Sequence, residues 1–275
     1  MIRRSSMFID NLSSAKNPKF KDLVLLSQKS KERRERALFV TEGVRETEAA
    51  LSAGYKLREL FFCPEITYST GDVTERVESK YKAEKYFTLT PDLYAKAAFR
   101  EGTEGIIAVF LNKTVSLNNI RLSPLPLVIV LESVEKPGNL GAVLRTADAA
   151  NADAVIICDP LTDIFNPNVI RASLGGVFTT CVTACTSEEA YLWLKSNNIK
   201  IFSAQIQDSE WYHKTDMRVP AAIVMGTESH GLKPYWRERA DFRIRIPMNG
   251  SLDSLNVSVA TAIICFEALR QREFK

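Results

Sequence analysis

The chain alternates short apolar runs with amphipathic stretches along its whole length. Pro18 opens a helix with Phe20, Leu23, Val24 and Leu26 on its apolar side, and the charged run Lys29–Arg36 closes it. Leu38–Val40 is a short buried strand, the next helix runs to about Ala53, and Leu57–Cys63 is another strand. Helix and strand candidates follow over 72–81, 85–88 and 91–98, and Gly105–Phe110 closes this half as a strand. Asn112–Pro126 has little periodicity and two prolines, Pro124 and Pro126, so we read a linker over 114–125. Beyond it, Leu127–Leu131 is a continuous apolar run, the mark of a strand covered on both faces. Ala154–Cys158, Ile199–Ala204 and Ala221–Met225 repeat that pattern with helical stretches between them. The last stretch alternates Phe242, Ile244 and Ile246 with Arg243 and Arg245, bends through small and amide residues, and enters an apolar helix over Val257–Leu269. Ser254 is the expected cap of that helix. The fold class this predicts is α/β, with a smaller α/β domain over 1–113 preceding a parallel-sheet α/β domain over 126–275.

A length of 275 residues agrees with two domains, and 45% hydrophobic with 25% charged residues are globular values that confine disorder to the ends. Met1–Ser14, polar and basic, is expected to be mobile. The net charge of +3 matters less than where it lies: the first 36 residues hold 10 basic against 4 acidic side chains. Such an excess suits a polyphosphate partner and equally a solvated helix face, with Lys29, Lys31, Arg33, Arg34 and Arg36 as the candidate contacts. Five cysteines in apolar patterns read as reduced core thiols. Cys181 and Cys185 lack a second ligand pair, so no metal is expected. Neither a signal peptide nor an apolar run long enough for a bilayer is present, which predicts a soluble cytoplasmic protein.

Three bends carry the chemistry. Val130–Ala147 leaves a buried strand through Gly138-Asn-Leu-Gly141 and opens a helix bearing Arg145. Ala222–Leu232 is a strand broken by Gly226 and followed by Glu228, and Ile246–Ala260 is the loop before the last helix. A strand followed by Gly138 and Gly141 raises a dinucleotide enzyme, but the spacing is not Gly-x-Gly-x-x-Gly and no acidic residue closes the next strand as that site requires. In this order the three segments resemble the motifs of the SpoU/TrmH family of RNA ribose 2'-O-methyltransferases, within the SPOUT superfamily. Asn139, Gly141, Arg145, Gly226, Glu228, Gly231, Pro247, Ser254, Leu255, Asn256 and Ser258 all fall where that pattern wants them, over Leu125–Lys275. More loosely, Phe39–Gly43, Leu57–Phe62 and the stretch 102–110 resemble the ribosomal-protein-like substrate-binding domain of such enzymes, which grips folded RNA. A domain that only braces the fold or a dimer is the alternative.

The resemblance implies a trefoil knot in the C-terminal domain and a homodimer paired through it, with the site near the subunit boundary. It implies S-adenosylmethionine held bent by backbone groups around Met225, Gly226, Ile246 and Leu255. It implies methylation of a ribose 2'-hydroxyl, in ribosomal RNA first, with transfer RNA as the enzymatic alternative and a non-catalytic RNA-binding assembly factor as another class. Arg145 is then the catalytic candidate, as activator of the hydroxyl or as a charge clamp on phosphate or alkoxide. Asn139 is placed to orient Arg145 or the ribose, Glu228 to accept a hydrogen bond from Arg145 or Asn139, and Ser254 with Asn256 to complete the hydroxyl site. Singly, each of these is a turn or cap residue, and their joint arrival in three bends gives them weight. In Asn166–Gly176, Arg171 and Ser173 touch RNA or a second subunit, or else the segment is a helix end finished by Gly175 and Gly176; both readings stay open. Trp193, Trp211 and Trp236 do not interleave with basic residues, so packing is expected of them, and His230 receives no catalytic role.

Overall fold

The structure is a computed structural model that describes residues 9–67, 80–99, 104–113, 115–227, 229–251 and 253–274. The helix expected over 72–81 falls almost wholly outside these residues, and Glu228 entirely so. The chain divides into two compact units, the first Met1–Lys113 with Phe165–Arg171, the second Thr114–Ile164 with Ala172–Lys275.

The first unit runs β1 (Ile9–Leu12), α1 (Pro18–Gln28), α2 (Ser30–Glu35), β2 (Leu38–Glu42), α3 (Val44–Ser52), β3 (Leu57–Phe62), α4 (Pro64–Thr67), β4 (Lys85–Leu89), α5 (Pro91–Ala97) and β5 (Ile106–Leu111). Its sheet has the order β1-β4-β3-β5-β2. The strands β1, β4 and β3 run parallel, and β5 pairs antiparallel with both β3 and β2. Phe20, Leu23 and Leu26 of α1 meet Phe61, Phe87 and Leu93 in one core, the spacing of three expected of an amphipathic helix. Pro18 sits in the first turn, where a missing N–H is harmless, and the Asn17 side chain takes the Lys19 N–H at 2.8 Å. Phe165 belongs to this unit and stacks on Phe39 with ring centres 4.7 Å apart.

Two expectations are corrected here. Ile9–Leu12, inside the stretch read as mobile, pairs in register with Tyr86–Leu89, where only Leu12 is buried and leaves little sequence signal. The charged run does not close α1: Lys29 turns to an extended conformation (φ −110°, ψ 111°), and Ser30–Glu35 is a separate helix.

The second unit runs β6 (Leu127–Glu132), α6 (Pro137–Ala149), β7 (Ala154–Cys158), α7 (Pro167–Ala172, shared with the first unit), α8 (Gly176–Thr179), β8 (Val182–Cys185), α9 (Ser187–Ser196), β9 (Lys200–Ala204), β10 (Glu210–Trp211), β11 (Ala221–Met225), α10 (Pro234–Arg239), β12 (Phe242–Arg245) and α11 (Val257–Gln271). Its seven strands are all parallel, in the order β10-β12-β9-β11-β6-β7-β8. Every residue of β6, β7 and β11 is buried, which is what continuous apolar runs require. Part of the expected linker belongs to this unit, since Leu117, Ile120 and Leu122 pack on its core.

Strand order positions the site. From β6 the chain steps to β7 and β8 on one side, then restarts at β9 on the other and returns through β11 to the edge of β6. The direction of winding reverses between β6 and β11, so the loops leaving their carboxyl ends diverge and open a crevice. Helix α11 comes back across α6 and β11. Its end is pinned by the buried Arg272, which donates to the carbonyls of Met217 (3.0 Å), Leu125 (2.9 Å) and Val219 (2.6 Å).

Candidate active site

Three loops meet at the carboxyl ends of the parallel strands. The loops after β6 and β11 wall a cavity of about 110 Å³, with Val134, Glu135, Lys136 and Asn139 on one side and Gly226, Thr227 and Ser229 on the other. A larger cavity of about 460 Å³ lies between the loop after β11 and the segment from β12 to α11, lined among others by Met225, Gly226, Ile246, Met248, Ser254 and Leu255. Gly226, Thr227, Ser229 and Val257 face both, so the two are neighbouring chambers with a shared wall.

Polar contacts between the loops help to hold the wall. Asn256 is the N-cap of α11: its Oδ1 accepts from the Ser258 N–H at 2.9 Å and the Ser258 hydroxyl at 2.6 Å. That orients its amide, whose Nδ2 donates to Asn139 Oδ1 at 3.1 Å across 117 residues of sequence. A second stitch joins the loops after β6 and β11. Glu132, at the end of β6, accepts the Lys233 N–H at 2.7 Å, and Lys233 Nζ donates to the Ser133 hydroxyl at 3.1 Å. Burial raises the Glu132 carboxyl above its ordinary value, and its Oε1 has no hydrogen-bond partner among the described residues.

All four residues expected to hold a cofactor, Met225, Gly226, Ile246 and Leu255, line the larger cavity, and Ser254 joins them. Asn139 and Asn256 are brought together. Arg145 is exposed on α6 and lines neither cavity of its own chain. Six residues beyond Asn139, it stands about 9 Å further along the helix axis. The partner expected for it, Glu228, lies outside the described residues.

Other expectations change. Ser254 is not the helix cap; Asn256 is, two residues on. Gly226 is a glycine because of the chain itself: a Cβ there would come within 2.1 Å of the Gly231 carbonyl carbon and 2.3 Å of the Leu232 nitrogen, where Thr227 and Gly231 close a tight antiparallel bridge. Gly141 likewise admits Ala172, whose Cβ would be 2.4 Å away. Arg33 is not an RNA contact. It is 2% exposed and donates to the carbonyls of Leu26 (2.7 Å) and Ser27 (2.9 Å), satisfying the end of α1. Arg36 is held by Asp22, whose carboxyl drops below the usual range through that bond, whereas Lys29, Lys31 and Arg34 are exposed. Arg171 is exposed and bonds Asn168 at 2.9 Å, but Ser173 is buried. Trp236 is fully buried, its Nε1 donating to the Ser187 hydroxyl at 3.1 Å, while Trp211 is exposed.

Glu132, Lys233, Glu135 and Lys136 escaped the sequence reading. A carboxylate ending a wholly apolar strand was the signal for the first. Burial pushes the Cys265 thiol up to about 12, as befits a core thiol. Among the described residues no cluster of His, Cys, Asp and Glu is arranged to hold a metal, and no helix is long and apolar enough to cross a membrane.

Comparison with known proteins bears on this geometry. The profile of the SpoU rRNA Methylase family matches residues 126–266, and that of the MRM3-like substrate binding domain matches residues 17–108. The chain is 29% identical over 255 residues, 93% of its length, to 97% of the 23S rRNA (guanosine(2553)-2'-O)-methyltransferase RlmP of Bacillus subtilis. It is 38% identical over 151 residues to the 23S rRNA (guanosine-2'-O-)-methyltransferase RlmB of Pseudomonas putida, a match that covers 54% of this chain and 61% of that protein. Among solved structures, an RNA 2'-O ribose methyltransferase superposes with a TM-score of 0.81 at 36% identity, over 96% of this chain and 99% of that one. An AdoMet-bound rRNA methyltransferase from Sinorhizobium meliloti gives 0.85 at 28% identity, over 95% and 98%.

Proposed function

The chain belongs to the SpoU rRNA methylase family, and from that membership we propose that it transfers a methyl group from S-adenosylmethionine to a ribose 2'-oxygen of ribosomal RNA. Guanosine is the nucleoside carried in its relatives' names, and we take it as the target. The observation that carries the reading is the 3.1 Å bond between Asn139 and Asn256, because it joins the first and third bends at a wall the second bend also lines.

The larger cavity fits the cofactor. Ile246, Met248 and Leu255 offer apolar surface for an adenine, and the loop after β11 adds the hydroxyls of Thr227 and Ser229. Bound there, S-adenosylmethionine supplies an electrophilic methyl on a sulfonium. We assign Met225, Gly226, Ile246 and Leu255 to holding it and Ser254 to the boundary with the acceptor. In the smaller cavity Asn139, its amide fixed by Asn256, orients the ribose hydroxyl for in-line attack. Guanidinium groups keep their proton in proteins, so Arg145 acts as a charge clamp on the developing alkoxide or the adjoining phosphate.

Because Arg145 is exposed and lines neither cavity of its own chain, we place it at the cavity of a partner in a homodimer. Val259 (48% exposed), the half-buried Ile263 and Phe266 (41% exposed) form an apolar stripe on α11 at spacings of four and three, and we assign that face to the dimer. The N-terminal unit grips RNA through Lys29, Lys31 and Arg34. Incubating the purified chain with labelled S-adenosylmethionine and ribosomal RNA, then mapping ribose methylation, should find a methylated guanosine. Label on transfer RNA alone would move the substrate, and no label on any RNA together with no cofactor binding by calorimetry would overturn the function.

A further inference from the structure

The smaller cavity carries an acidic side chain that methyl transfer does not require. Glu135 stands on its wall three residues past the end of β6 and four before Asn139. Its main chain is tied down, because its carbonyl accepts the Thr162 hydroxyl. Its exposed carboxylate makes no hydrogen bond or ion pair with another described residue. A fixed negative charge at the mouth of a site for a polyanion repels its ligand unless the ligand brings hydrogen-bond donors to it. RNA backbone has no such donors beyond the 2'-hydroxyl; the bases do. Cytosine and adenine each offer a single amino group beside a bare ring nitrogen, and uracil offers one N–H between two carbonyls. Guanine alone presents two adjoining donors, N1–H and N2–H, that match the two oxygens of one carboxylate. Such an edge is open to reading only when the base is unpaired, the state in which enzymes take a nucleotide for chemistry.

We propose that Glu135 is the base-reading residue of this site, its carboxylate accepting N1–H and N2–H of an unstacked guanine whose ribose lies against Asn139. The inference rests on the methyltransferase reading above and adds to it the residue that selects the nucleoside. The adjoining chambers suit this division: the donor sits beyond Gly226 and Ser229, and the sugar and base edge sit on the side of Asn139 and Glu135.

The test uses the whole chain and a synthetic RNA stem-loop spanning the methylated position once it is mapped, made with guanosine, inosine or adenosine there. Inosine keeps N1–H and lacks the N2 amino group. Wild-type kcat/KM should fall about 10-fold from guanosine to inosine and about 100-fold or more to adenosine, the size expected when a site built for hydrogen bonds loses them. In Glu135→Ala, the guanosine-to-inosine ratio should collapse to about 2 or less, because the group that senses the amino donor is gone. Glu135→Gln, which offers one acceptor and turns an N–H toward guanine's donors, should lower guanosine kcat/KM more than inosine kcat/KM. A mapped nucleotide other than guanosine, or an unchanged ratio in Glu135→Ala, overturns the base reading and leaves the methyltransferase intact. Failure of the wild-type chain to methylate any RNA overturns the wider function and this inference with it.

Discussion

The two units treat their polar side chains in opposite ways. In the first, two of the five basic residues that the charge count singles out are consumed by the fold, Arg33 ending α1 and Arg36 gripping Asp22, and nearby Lys19 reaches Glu59 at 2.5 Å. In the second, the polar residues of three loops are held by one another at the rim of two cavities, as Asn256 holds Asn139 and Glu132 holds Lys233. The mixed sheet of the first unit closes over side chains, whereas the parallel sheet of the second ends in diverging loops, some of whose polar groups find partners across the crevice. A charge cluster in sequence is therefore weak evidence of function until burial is known, and scattered amides that converge in space are strong evidence.

The sharpest break of that contrast falls on Arg145, an exposed candidate of the second unit that lines neither cavity of its own chain. Arg145→Ala should cut methyl transfer by about 100- to 1,000-fold, the cost of removing one charge-stabilising group, with cofactor affinity unchanged by calorimetry. If both fall together, Arg145 is structural. In a homodimer with Arg145 at the partner's cavity, inactive Arg145→Ala and Asn256→Ala chains, mixed and allowed to exchange, should regain about a quarter of wild-type activity, since half the dimers are mixed and each holds one intact site. No recovery from a mixture proven to exchange would place Arg145 at its own chain's site.

Smaller effects should separate consumed from available charge in the first unit. Arg33→Ala leaves two carbonyls at the end of α1 unsatisfied and should lower stability by about 2–3 kcal/mol in urea melts, without changing the salt dependence of RNA binding. The double variant Lys31→Ala, Arg34→Ala should do the reverse, leaving stability within about 0.5 kcal/mol and lowering the slope of log K against log salt by about 1.5. Equal slopes in all three proteins would reduce that basic helix to solvated surface.

What the sequence made legible follows the same line. The strands Ala154–Cys158 and Ala221–Met225 were readable to the residue, because burial on both faces leaves no polar position to blur them. Val182–Cys185 and Glu210–Trp211 were not, being short edge strands with exposed positions. Asn139, Gly226 and Asn256 were found through their motifs, but not what they do locally: Asn256 takes the capping role expected of Ser254, and Gly226 makes room for Gly231. Phe165 stacking on Phe39 depends on contacts between residues far apart in sequence, which periodicity does not record.

The gentlest probe of the contrast is Glu132, a buried carboxylate of the second unit with one oxygen unbonded among the described residues. Burial raises its pKa in the folded chain above the ordinary 4.5. Between those two values the folded chain binds a proton that the unfolded chain has released, so stability falls as pH rises through the window and stays lower above it. Glu132→Gln keeps a carbonyl for the Lys233 N–H and never ionises. It should therefore be more stable than wild type at pH 8, and the gain should vanish as pH drops to the unfolded value. Urea melts at both pH values measure it. A variant less stable than wild type at pH 8 would mean that attraction to Lys233 outweighs the penalty of burial, and that this stitch, like the arginines of the first unit, is a pair the fold has already satisfied.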